Sequence, residues 1–137
     1  TSVSRGLGDV YKRQGNDRIV SGMGEQPVPI HKIQFDLKSF TSGCVCIAPG
    51  LSTKMLKALQ KEDMFSVESI CRKFEVLEGL RNEINPVRVL HAAIKMTNLA
   101  ETGPLQPMIS EISGSEAARV EKAAMDLLDQ EEKNLEF

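Results

Sequence analysis

The chain has 137 residues, enough for one modest domain. Its 17 basic and 19 acidic side chains leave a formal net charge of −2, which argues against nucleic acid as the main partner, because phosphate binding draws on a basic excess. No apolar run approaches the roughly 18 residues of a membrane span, and no signal peptide pattern opens the chain, so no membrane partner and a cytoplasmic location are expected.

Residues 1–14, TSVSRGLGDVYKRQ, have neither helical nor strand periodicity and read as a non-native or disordered leader. Asp17-Arg18-Ile19-Val20-Ser21 is partly β-branched and runs into glycines, which predicts a short buried strand. A loop through Gly24 and Glu25 follows. Pro27 and Pro29 suit the first turn of a helix, where a missing N–H costs little, and Ile30, Ile33, Gln34 and Leu37 supply its face. Residues 40–47, FTSGCVCI, are nearly all apolar or small, which predicts a strand covered on both sides and ended by Ala48-Pro49-Gly50. On a strand, Cys44 and Cys46 share a face. With Cys71 they lack metal-ligand spacing and read as buried reduced thiols, with a disulfide or a pocket role left open; no metal is expected.

The remainder reads as helix. Ser52 is a candidate N-cap for a helix carrying Met55, Leu56 and Leu59. Val67, Ile70, Cys71, Phe74 and Leu77 form an apolar stripe at spacings of three and four. Asn85-Pro86 is an N-cap followed by proline at the first helical position, with Val87, Leu90, Ala93 and Ile94 continuing the helix. Gly103-Pro104-Leu105-Gln106-Pro107 predicts a rigid extended link. Ser113 to Glu116 has the spacing of a capping box for a last helix whose face is Val120, Ala123, Ala124, Leu127 and Leu128. The charged end from Glu131 is expected to fray. His31 and His91 lack ligand spacing and read as ordinary helix residues.

Taken in order, Gly24-Glu25 after a strand, the run from Phe40 to Pro49, the helix around Phe74-Glu75-Val76-Leu77-Glu78-Gly79-Leu80-Arg81, Asn85-Pro86-Val87 and Gly103 to Pro107 resemble the C-terminal part of the dihydrodipicolinate synthase and N-acetylneuraminate lyase superfamily, over residues 17–112. The resemblance implies an α/β fold, the C-terminal part of a (β/α)8 TIM barrel. Strands 7 and 8 with their helices would occupy residues 15–61, and a C-terminal helical region residues 62–137. The chain falls well short of the roughly 250 residues of a whole barrel. The implied parent is a homo-oligomeric lyase (aldolase, dehydratase or synthase) that forms a Schiff base with a 2-oxo acid such as pyruvate or a sugar-acid derivative, without a cofactor.

In that family a lysine and a tyrosine carry the chemistry on earlier strands. Both are expected upstream, so no catalytic residue is assigned, Lys12 in the leader included, and the fragment alone is expected to be inactive. Gly24, Glu25, Thr41, Ser42 and Gly43 are the residues that the resemblance assigns to substrate binding. Glu25 stands where many members have Asp, and Cys46 where many have Asn, which leaves the substrate open. The alternative is a non-enzymatic helical interaction module that docks through helices after Leu51. Two strands cannot bury both faces of a sheet, so the isolated chain is also expected to be marginally stable and prone to associate.

Overall fold

The computed structural model describes residues 15–135; the leader read at residues 1–14 lies outside them. Among the described residues, five α-helices follow one another: α1 (Val28–Phe35), α2 (Pro49–Gln60), α3 (Met64–Glu83), α4 (Pro86–Met96) and α5 (Gly114–Leu135). Short 3-10 turns occupy Asn16–Arg18 and Cys44–Cys46. The expected α/β TIM-barrel portion is therefore overturned: the described residues hold no strand, only one isolated parallel bridge between Ser21 and Phe40.

The correction has a local cause. Phe40 bridges to Ser21, but the Ser42 hydroxyl then accepts the Val45 N–H at 3.1 Å, and Gly43 takes a right-handed helical conformation. The chain therefore coils into a 3-10 turn at the point where the apolar run was expected to stay extended. A strand apolar on both faces needs a neighbour on each side. Among the described residues the run's only bridge is the short one to Ser21. Coiling also separates the cysteines: Cys44 is buried and Cys46 exposed, where a strand would have kept them on one face. The first expected strand is likewise a 3-10 turn followed by the extended residues Ile19 to Ser21, of which Ile19 is buried and Val20 is not.

α3 is the axis around which α1, α2, α4 and α5 pack. Its stripe of Val67, Ile70, Cys71, Phe74, Leu77 and Leu80 is buried as the periodicity predicts. Leu51, Met55, Ala58 and Leu59 of α2 meet it in one core with Val89 and Ala93 of α4 and Val120, Ala123, Ala124 and Leu127 of α5. Each large side chain so buried contributes roughly 1.5–3 kcal/mol against chain entropy. Asp63 caps α3 by accepting the Ser66 N–H, and Asn85 caps α4 by accepting those of Val87 and Arg88, both at 3.0 Å. α1 departs from its expected face: Val28 and Leu37 are buried, whereas Ile30 and Ile33 stand exposed. The link before α5 is irregular and contains a cis Gln106–Pro107 bond. Glu116 faces Arg88 at 3.9 Å instead of closing a capping box. No helix among the described residues is long and apolar enough to cross a membrane.

Candidate functional site

The loop before α1 and the middle of α3 meet over a pair of buried carboxyls. Gly24 has φ near 87°, a left-handed conformation that suits glycine, and a Cβ there would overlap the Glu78 carboxyl. That close approach lets Glu78 accept the N–H groups of Glu25 and Gln26 at 2.8 and 2.9 Å. These two donors precede the first turn of α1, where no intrahelical acceptor exists. Gln26 Nε2 donates in turn to the Cys71 carbonyl at 3.0 Å, and the Cys71 thiol donates to the Glu25 carbonyl at 3.3 Å. The loop is thus fastened to α3 by one carboxylate, one amide and one thiol.

The Glu25 side chain turns inward. Both Glu25 and Glu78 are fully buried. Ser52, buried on α2, donates its hydroxyl to Glu25 Oε1 at 2.5 Å. It lies inside the helix and does not cap it; the helix begins with Pro49, and its first N–H groups are served from elsewhere. Glu25 Oε2 is buried with no protein donor. Burial, followed by a hydrogen bond that the protonated Glu78 carboxyl donates to Glu25, raises the Glu78 pKa from an ordinary 4.5 to about 7. The Glu25 charge close by adds to burial in holding a proton on Glu78. Protonated, Glu78 can donate to Glu25 Oε2, which otherwise lacks a donor. The nearby thiols feel the same field. Burial and the two glutamates push Cys71 to about 11 and Cys44 far above the usual thiol range. Burial thus favours the protonated thiol at both, whereas Cys46, also expected to be buried, is exposed.

Ser52, though buried, also borders a groove. An open groove of about 270 Å3 is lined by Phe40, Ser42, Val45, Ser52, Thr53 and Leu56. Three hydroxyls and three apolar side chains therefore surround a space whose wall is hydrogen-bonded, through Ser52, to the carboxyl pair.

Of the five residues assigned from the sequence, the structure gathers Gly24, Glu25, Thr41 and Ser42 around this feature. Thr41 is exposed, and its carbonyl accepts the Gly24 N–H at 3.2 Å. Ser42 lines the groove. Gly43 sits apart: a Cβ there would meet Leu90 at 2.5 Å and Arg81 at 3.3 Å, so its smallness lets α3 and α4 approach. Ser52 and Glu78 were missed. Ser52 carried only the signature of a cap, and nothing local marks Glu78, whose partner lies 53 residues away. Ser21 and His31 form a hydroxyl–imidazole contact of 2.8 Å, but Ser21 is buried, and the bond ties the bridged segment to α1. Among the described residues no group of His, Cys, Asp and Glu could hold a metal ion.

A second buried carboxylate, Glu131 of α5, accepts the N–H groups of Gly50 and Leu51 at 2.6 and 2.8 Å and so caps α2. The expected fraying from Glu131 is corrected accordingly, since α5 runs on to Leu135. Glu78 differs from this plain cap in having a second carboxyl hydrogen-bonded to it. No protein-family model, curated protein or solved structure matches the chain.

Proposed function

We propose that this chain contributes a substrate-facing groove and a buried carboxyl, Glu78, that holds a proton near neutrality to a lyase that acts on a 2-oxo acid through a Schiff base. The observation that carries the reading is the run from groove to buried pair, Ser52 Oγ to Glu25 to Glu78. Schiff-base chemistry needs a group that takes and returns protons near neutrality: a lysine amine attacks the ketone carbon, water leaves, and the iminium withdraws electrons while the substrate breaks down. A carboxyl titrating near 7 is matched to that task. The hydroxyls of Ser42, Ser52 and Thr53 suit an oxygen-rich substrate. The amine itself would come from chain outside this sequence, and the reading needs no barrel geometry within it.

Borohydride trapping with pyruvate is the test. The chain by itself should give no covalent adduct. A longer polypeptide carrying this sequence with the chain encoded upstream should give one adduct per chain, and Glu25→Gln in it should slow turnover at least tenfold while leaving the adduct intact. Full turnover in that variant would sink the proposal, as would an adduct on the chain described.

The second reading, a non-enzymatic helical interaction module, draws on one observation. Phe65 and Val76 stand 85% and 65% exposed on a single face of α3.

A further inference from the structure

Along the outer side of α3, Phe65, Ser69, Arg72, Val76, Gly79 and Glu83 recur at steps of four and three and form one stripe. From Arg72 to Glu83 that stripe borders a continuous groove against α5. It is described by two adjoining hollows of about 450 and 590 Å3 that share Val76, Ala123 and Asp126. The two helices run antiparallel, with Arg119 of α5 paired to Glu83 of α3 at 2.8 Å, and with Arg72 and Asp129 together at the other end. A Cβ at Gly79 would meet nothing within 4 Å, so an open notch lies one turn from the exposed Val76.

We infer that the α3–α5 face is a two-fold interface on which a second copy of this chain docks, α3 antiparallel to α3 and α5 antiparallel to α5. The arrangement of the residues singles out this occupant. Place a two-fold axis across the groove, between Leu77 and Glu78 of α3. Val76 of each copy then fills the notch at Gly79 of the other, and Arg72 meets Glu83. Because Val76 and Asp126 line the same groove positions, the same axis passes Ala124 of α5. There it sets Asp126 opposite Lys122, and Asp129 opposite Arg119, of the second copy. Shape and charge thus agree on one axis for both helices. A partner of unrelated sequence would have no reason to match both.

The size suits a weak dimer. In this register α3 meets its counterpart over residues 72–83, about 18 Å, and α5 over nearly all its 22 residues, about 33 Å, at helix spacings of about 10 Å. That is roughly 500 Å2 from each copy, about 1,000 Å2 in all, at the lower limit of a specific interface. The dimer should therefore depend on concentration and weaken with salt.

The inference is independent of the catalytic reading and fails separately from it. Sedimentation velocity of the chain over roughly 1–200 μM should show a monomer–dimer equilibrium. Val76→Glu should raise the dissociation constant at least tenfold, and Asp126→Lys should do likewise by facing Lys122 of the second copy. Adding Lys122→Asp to Asp126→Lys should restore the dimer, because the swapped pair is again opposite in sign. These side chains are exposed, so helical circular dichroism should not change. A monomer throughout, a dimer indifferent to both single variants, or a swap that fails to restore association would each overturn the inference.

Discussion

At the scale of single residues, the balance is between Glu78 as a cap and Glu78 as an acid. Its carboxyl does both, and the two roles have opposite pH signatures. Because its native pKa lies above the unfolded value, the native state holds a proton between about pH 4.5 and 7 that the unfolded chain has released. Stability from this pair should therefore be greatest at the acid end of that window and fall as pH rises through it, by up to about 3 kcal/mol. Urea denaturation between pH 5 and 8 measures this. Glu25→Gln should flatten the profile, since the amide donates to Glu78 and removes the competing charge. An unchanged slope would mean that Glu25 does not help to hold a proton on Glu78. Gly24→Ala should destabilise by about 2–4 kcal/mol, from positive φ and displacement of Glu78, whereas Gly22→Ala, with open space around it, should stay within about 0.5 kcal/mol. Equal effects at the two glycines would contradict the close approach. Gly24 and Glu25 were legible as a loop. The identity of what they touch was not, because Glu78 lies on a stripe position where a carboxylate reads as one polar residue on an apolar face.

At the scale of elements, helices were legible where a stripe or a local cap was clear. Val67 to Leu77 supply a stripe at spacings of three and four, Asn85 with Pro86 a cap and a helix start, and α3 and α4 form where these lie. Residues 40–47 supplied only apolarity, which a strand and a buried turn share. The Ser42–Val45 hydrogen bond decided for the turn. The caps were the other blind spot. α2 is capped by a side chain 80 residues away, a relation with no local pattern. Glu131→Ala should leave two N–H groups at the buried start of α2 without an acceptor and destabilise the chain by about 2–3 kcal/mol. Asn85→Ala, at a half-buried local cap, should cost about 1 kcal/mol. Thermal melts of the two variants decide whether the remote cap outweighs the local one, and a Glu131 variant as stable as the parent would remove α5 from the account of how α2 is held.

At the scale of the whole molecule, α3 presents three environments around its circumference. Its core stripe holds α2, α4 and α5; Glu78 reaches the loop before α1; Val76 and Gly79 face outward. The expected barrel failed at this scale because two short extended segments meet at one bridge only, and the helical packing around α3 supplies the core instead. The catalytic reading now rests on the path from the groove through Ser52 to a pair that retains a proton near neutrality. Its most direct measurement is a carbon-13 titration of the glutamate side-chain carboxyls, with Glu78 assigned through Glu78→Gln. The account predicts that the Glu78 carboxyl stays protonated at pH 6, releases its proton near pH 7, and moves toward the ordinary range in Glu25→Gln. Release near pH 4.5 in the unaltered chain, with no response to Glu25→Gln, would contradict it.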